Sequence, residues 1–300
     1  MDFVVNSWYF KHQFTAIQYG ASMQSVGLII KRSADQALDL AEKICRFLRQ
    51  RGTNIVFEKS CSDLASVWAA QSSENLADKV DLIVSLGGDG TLLQAAAQLN
   101  SRPVPVLGVN LGRVGFMAEI APDEALEEIE LALVGKSSLG KRMMLAVTAP
   151  DGRQRKSLNE VVIHWTGIAR IIDLGIRVGC CRDFELRADG LIISTPIGSS
   201  AYSYAAGGPL VHPDVEGILL TPICPYSGLK RPLLVPPDFP IQLTLSKGEN
   251  FTMTIDGHTH ISMAQGSSVI VEKAPFPFVI VKSRKRDYFD VLDAKLGLVR

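Results

Sequence analysis

Val80-Asp81-Leu82-Ile83-Val84-Ser85-Leu86-Gly87-Gly88-Asp89-Gly90-Thr91-Leu92-Leu93 is the stretch around which the chain is organised. An apolar run ends in a glycine cluster that carries one carboxylate, and a Leu/Ala-rich run to Leu99 follows at once. The first run reads as a buried parallel strand and the second as the start of a helix. Glycines at such a junction let the backbone turn sharply and approach a ligand with no Cβ in the way. Free N–H groups at a helix start attract phosphate. A carboxylate there repels phosphate, so the presence of Asp89 calls for a chemical reason. It either takes a proton from a hydroxyl or helps to hold Mg²⁺ beside the phosphates. The plainer alternative is a tight turn with Asp89 as a helix cap. The motif is neither a dinucleotide G-x-G-x-x-G nor a Walker P-loop, because no Gly-Lys-Ser/Thr follows.

Outward from this stretch, strand and helix patterns alternate over residues 24–135, the signature of a parallel sheet covered by helices. Ser25 to Ile30 reads as a first strand. The next helix keeps Ala37, Leu40, Ala41, Ile44, Cys45 and Leu48 on a 3.6-residue period, with Ser33 or Asp35 as its cap. Residues 53–57 read as a strand, 62–68 as a short helix and 71–78 as a polar connection. A further strand over 103–109 ends at Asn110-Leu111-Gly112-Arg113-Val114-Gly115-Phe116, and a helix follows over 122–133. Ligands of such sheets sit beyond the carboxyl ends of the strands, so the 87–91 and 110–116 loops share one edge.

After Gly140 the pattern changes to short alternating runs with many glycines and prolines, which predicts an antiparallel β-rich unit. The expected organisation is an N-terminal extension over 1–22, either a disordered lead or a docking arm, and a Rossmann-like α/β domain over 23–138. A β-sandwich-like domain follows over 139–282, and a segment over 283–300 returns to the first domain. Residues 187–210 form a second cluster of chemistry, in which a strand enters Pro196-Ile197-Gly198 and a run of small hydroxyl and alanine residues. Small side chains let a flat ligand lie close to backbone, and Tyr202 and Tyr204 are placed to stack on a base or line a pocket. Asn159-Glu160, just before an apolar run, is a compact donor, acceptor and charge set, or else an ordinary turn.

Composition bounds the partners. Thirty-one Lys and Arg balance 31 Asp and Glu, so net charge gives no case for nucleic acid or membrane. No apolar run is long enough to span a membrane. Five cysteines without metal-ligand spacing, and no recognisable signal pattern in residues 1–22, favour the reducing cytoplasm.

Taken in order, the glycine loop 87–91, residues 110–116, Asn159-Glu160, Asp189-Gly190, the 194–202 run and Gly207-Gly208-Pro209 resemble the bacterial NAD kinases, over about residues 25–295. Gly-Gly-Asp-Gly alone is shared with phosphofructokinases and with diacylglycerol and sphingosine kinases; the other blocks are not. The resemblance implies transfer of the ATP γ-phosphoryl group to the adenosine ribose 2′-hydroxyl of NAD, with a divalent cation such as Mg²⁺. By the same resemblance Asp89 is the catalytic carboxylate and the one candidate metal ligand. Gly87, Gly88, Gly90, Thr91 and Phe116 belong to the ligand site, and Asn159 and Glu160 grip the adenosine end. Arg170 and Arg187 stand near the ligand phosphate, and Asp189 on the nicotinamide or facing-subunit side. Ser200, Ala201, Tyr202, Ser203, Tyr204 and Ala205 line the adenine and ribose pocket, and His258 occupies a position where relatives carry Gln. The resemblance also implies a homodimer or homotetramer with shared sites. Ile197 stands where Thr or Ser is usual and gives up a hydroxyl. The rivals are a kinase of a sugar or lipid hydroxyl and a catalytically silent dinucleotide sensor.

Overall fold

The computed structural model describes residues 23–99, 102–112, 115–165, 171–180, 182–247 and 251–297. The expected N-terminal extension, Arg170 and part of the 110–116 loop lie outside them.

The first part runs β1 (Ser25–Ile30), α1 (Asp35–Gln50), β2 (Asn54–Glu58), α2 (Ser62–Val67), β3 (Gln71–Ser73), β4 (Leu82–Gly87), α3 (Asp89–Ala97), β5 (Pro105–Asn110), α4 (Ala125–Leu133) and β6 (Leu139–Arg142). The second runs β7 (Leu145–Thr148), β8 (Gln154–Ser157), β9 (Glu160–Trp165), β10 (Ile172–Val178), β11 (Arg182–Ala188), β12 (Gly190–Ser194), α5 (Tyr202–Ala205), β13 (Ile218–Ile223), β14 (Leu233–Val235), β15 (Ile241–Lys247), β16 (Phe251–Ile255), β17 (Thr259–Met263) and β18 (Ser268–Lys273). β19 (Phe278–Val281) and α6 (Tyr288–Leu296) close the chain's described part.

Seven strands form the first sheet in the order β3-β2-β1-β4-β5-β19-β6. β1, β2, β3, β4 and β5 are parallel. Every residue of β4 and β5 is buried, as expected of strands covered on both faces. α1 buries the six apolar positions of its 3.6-residue stripe. Its cap differs from expectation: Ala34 occupies the N-cap without a side-chain bond, and Asp35 begins the helix. There its charge favours the positive end of the helix dipole.

Two six-stranded antiparallel sheets, β11-β10-β15-β18-β7-β8 and β14-β13-β12-β9-β16-β17, make up the β-rich part. Their inner faces share one core, in which Leu145, Ile176 and Leu243 of one sheet meet Ile163, Leu191 and Met253 of the other. Facing sheets with alternating inward side chains define a sandwich. A separate apolar cluster joins the two parts: Leu92 and Ala95 of α3 pack with Met144, Leu158 and Ile197. Ile197 is therefore a core residue, buried where the family resemblance marks a lost hydroxyl.

Three features depart from the sequence reading. Residues 71–73 are an edge strand and not part of a plain connection. β17 pairs with β16 at the edge of its sheet, with only Ile261 and Met263 as apolar residues. β6 and β19 pair with each other and, through β19 and β5, join the first sheet, although both runs adjoin β-rich sequence. Cys45 and Cys61 are buried free thiols. Burial pushes the Cys45 thiol up to about 12, which keeps it unreactive.

Candidate functional site

β4 delivers its carboxyl end to a junction where Gly87 leaves no room for a Cβ. A Cβ on Gly87 would lie 2.0 Å from Thr91 Oγ1. Gly88 is the extended N-cap, and Asp89 opens α3. The Asp89 side chain turns toward the loop after β5. Its Oδ2 accepts the Phe116 N–H at 2.9 Å, and its Oδ1 accepts those of Met117 at 3.1 Å and Ala118 at 3.0 Å. Gly115 is obligatory beside it, since a Cβ there would stand 2.1 Å from Oδ1. The carboxylate thus binds the two carboxyl-edge loops together. It offers about four acceptor sites in all, so the three N–H donors leave one for a further donor.

Beside this junction opens a cleft of ≈ 410 Å³, lined by Ile30, Lys31, Arg32 and Ser60, by Gly88, Gly90, Thr91 and Gln94, and by His258. Arg32 is engaged, giving Nη1–H to the Ser60 carbonyl at 2.8 Å and pairing with Asp63 at 2.5 Å. The Lys31 side chain is exposed and makes no ion pair among the described residues. Neither Lys31 nor Arg32 stands out in the sequence alone. Their position one step beyond β1, on the same edge as the glycine loop, is the signal that points to them.

The second half of the site is built by Asp256. It begins a left-handed hairpin turn between β16 and β17, with φ +47° at Asp256 and +69° at Gly257. Its carboxylate accepts from Ser157 Oγ (2.7 Å) and from the N–H groups of Leu158 (2.8 Å), Asn159 (2.8 Å) and Glu160 (3.1 Å). Asn159 and Glu160 are thereby fixed and buried, 9% and 8% exposed. Yet Asn159 Oδ1 and Glu160 Oε2 have no hydrogen-bond partner among the described residues. Burial, and then the nearby Asp256 carboxylate, push the Glu160 carboxyl up to about 8. Buried polar atoms are rarely left unbonded, and these two lie side by side among the few such atoms of the described residues.

The 195–205 run packs directly on this pair. Thr195 N–H donates to the Asn159 carbonyl at 2.9 Å, and Thr195 Oγ1–H to that of Leu158 at 2.6 Å. Tyr202 and Tyr204 are about half exposed, while Ser200 turns its hydroxyl back to the Ile197 carbonyl at 2.9 Å. Ser203 is fully buried and bonds Thr221 Oγ1 at 2.8 Å, so its hydroxyl faces the protein interior. Arg187 and Asp189 are not brought to this group. β12 pairs Ser194 with Glu160 but Gly190 with His164. Asp189 therefore stands beyond the far end of that strand, at least ~13 Å from Ser194 at the usual strand rise. Arg187 pairs there with Asp173 at 2.7 Å and lies 5.6 Å from the exposed Tyr226 ring.

The described residues contain no cluster of three or more His, Cys, Asp or Glu able to hold a metal ion. No described helix is long and apolar enough to cross a membrane.

A parallel sheet whose carboxyl edge carries a glycine loop with one acidic side chain, set against a β-sandwich that holds a buried, unbonded Asn-Glu pair, is an arrangement suited to a nucleotide substrate. Residues 26–136 match the ATP-NAD kinase N-terminal domain and residues 158–283 the ATP-NAD kinase C-terminal domain. The chain is 38% identical to the NAD kinase of Geobacter sp. (strain M21) over 91% of its length and 98% of the relative's. It is 33% identical to that of Magnetococcus marinus over 91% and 93%. An NAD kinase from Archaeoglobus fulgidus, solved in complex with ATP, superposes with a TM-score of 0.72 at 27% identity, covering 90% of this chain and 98% of that one. Yeast NADH kinase, solved with NADH, shares the fold with a TM-score of 0.85 at 23% identity, over 93% and 89%. The chain belongs to the ATP-NAD kinase family.

Proposed function

We propose that the chain transfers the γ-phosphoryl group of ATP to the 2′-hydroxyl of the adenosine ribose of NAD, giving NADP and ADP. The ribose oxygen forms a bond to the γ-phosphorus, the bond from that phosphorus to the β,γ-bridging oxygen breaks, and the hydroxyl proton passes to Asp89. A hydroxyl is a poor nucleophile at neutral pH, and a carboxylate within about 3 Å takes its proton as the new bond forms. The remaining acceptor site of Asp89 suits that role. Phosphoryl transfer otherwise depends on positioning and charge. The N–H groups at Gly88 and Gly90 and the Lys31 ammonium supply positive potential in the cleft.

The observation that carries the reading is the pair of buried, unbonded polar atoms, Asn159 Oδ1 and Glu160 Oε2. They suit the polar edge of an adenosine, with Tyr202 and Tyr204 as the exposed aromatic wall. A divalent cation is expected to come with the nucleotide, since Mg²⁺ is commonly held by substrate phosphates and one or two carboxylates. The chain is further proposed to act as a cytoplasmic homodimer or homotetramer in which Arg187 and Asp189 serve a neighbour's site. Purified protein given NAD, ATP and Mg²⁺, with product read by an NADP-specific dehydrogenase, tests the reading. NADP formation supports it, and phosphorylation of a sugar or lipid instead of NAD contradicts it.

A further inference from the structure

The loop that holds Asp89 is gripped from its other side by the segment before α6. Phe116, Met117 and Ala118 give their N–H groups to Asp89. The next residue, Glu119, offers its backbone carbonyl to Arg286 Nη1–H at 2.6 Å, and its carboxylate accepts the Ser283 N–H at 3.3 Å. The same Arg286 guanidinium forks onto Glu124, Nη1 to Oε2 at 3.1 Å and Nη2 to Oε1 at 3.0 Å. Glu124 is 6% exposed and also accepts the Ala121 N–H at 3.1 Å. Lys295 of α6 lies 5.9 Å from the Phe116 ring. Residues 116–121 are thus strung between a carboxylate on α3 and a guanidinium from the far end of the chain.

We propose that Arg286 is a positioning residue for Asp89, acting through the 116–119 backbone. This inference rests on the reading of Asp89 as the proton acceptor. The geometry gives Arg286 a role that its neighbour lacks. Arg284 also pairs with α4, at Glu127 (2.6 Å) and Glu128 (2.8 Å), and no hydrogen bond or ion pair from it to residues 115–121 occurs among the described residues. Removing Arg284 loosens α4; removing Arg286 frees the Glu119 carbonyl and the end of the loop that orients Asp89. Only a guanidinium spans carbonyl and carboxylate together, since the lysine ammonium is a point charge on a flexible stem.

Kinetics and amide hydrogen exchange on Arg286→Lys, Arg286→Ala, Glu124→Gln and Arg284→Ala, beside Asp89→Asn, test the proposal. Small misplacement of a reacting group costs up to roughly 100-fold. The Arg286 variants are expected to lose about 10- to 100-fold in kcat with KM for NAD and ATP within about twofold, on the same scale. Glu124→Gln is expected to lose less in the same direction. Amides of Met117 and Ala118 should exchange faster in all three, while Arg284→Ala keeps kcat and that protection. Should Arg286→Ala not fold, Arg286→Lys and Glu124→Gln decide. Wild-type kcat and loop protection in those two, with Asp89→Asn inactive, overturn the Arg286 inference and leave the Asp89 reading in place. Wild-type kcat in Asp89→Asn overturns both.

Discussion

The backbone of Gly198 lies against that of Asn159 so closely that a Cβ at residue 198 would stand 2.1 Å from the Asn159 carbonyl oxygen. That oxygen already accepts the Thr195 N–H. Two blocks separated in sequence are thereby one rigid wall, and the glycine is required by the contact and not by its own dihedrals. Gly198→Ala is expected to cost about 1–3 kcal/mol of stability, the usual penalty for overpacking. It should also raise KM for NAD more than it lowers kcat, because the displaced group binds and does not react. Thermal melts and steady-state kinetics read both.

Glu160 makes the ligand-free protein sensitive to pH. Its folded pKa of about 8 lies above the unfolded value, so the folded state holds the extra proton across the interval between them. The contribution of Glu160 to stability therefore falls as pH rises from about 4.3, the unperturbed glutamate value, toward 8. Glu160→Gln should remove this slope, leaving the variant more stable than wild type near pH 8 and similar near pH 4.5. Melting temperatures across that range in the absence of nucleotide check the sign. A wild-type deficit relative to Glu160→Gln that does not grow with pH over the interval contradicts it.

Much of this site is legible in the sequence because its parts are local. The strand-then-glycine pattern of 80–93 places the loop, and the carboxylate in it is conspicuous. What the sequence withholds is non-local. Asp256 shows only as half of a turn dipeptide, yet it orders Ser157 to Glu160, close to a hundred residues earlier. β3 (Gln-Ser-Ser) has no apolar residue, and β17 (Thr-His-Ile-Ser-Met) sets only two, Ile261 and the buried Met263, among polar ones at a sheet edge. β19 reads as one more β-rich strand because nothing in four apolar residues says that its partner is β5. Ser203 looks like its hydroxyl neighbours, but the single turn of α5 points it inward to Thr221.

Lys31 is the cation of the cleft without an ion-pair partner among the described residues. Lys31→Ala is expected to weaken ATP, not NAD. A hydrogen bond to a charged group contributes about 1.5–3 kcal/mol, so KM for ATP should rise roughly 10- to 100-fold. Initial rates with each substrate varied in turn separate the two. An equal rise for both would place Lys31 elsewhere in the reaction.

The distance of Arg187 and Asp189 from the Asn159-Glu160 wall predicts complementation between subunits. Asp189→Ala and Asp89→Asn chains, each weakly active alone, should regain activity when unfolded together and refolded as a mixture, since some sites then carry neither lesion. Symmetric assembly makes such mixed sites unavoidable. Light scattering on the same samples reports the assembly. A monomer with full specific activity at every dilution contradicts the shared site and leaves the kinase reaction untouched.

The central claim is that Asp89 takes the proton of the NAD 2′-hydroxyl. It is tested most directly by Asp89→Asn and wild type assayed side by side for NADP, with NAD binding measured on both by calorimetry. Asparagine sets an amide N–H₂ or a weaker oxygen against the three loop donors, so a melt must accompany the assay. The account predicts retained folding and NAD binding with turnover lowered about 10²–10⁴-fold, the range of a lost general base. Turnover within a few-fold of wild type, in a folded variant that binds NAD, would contradict it.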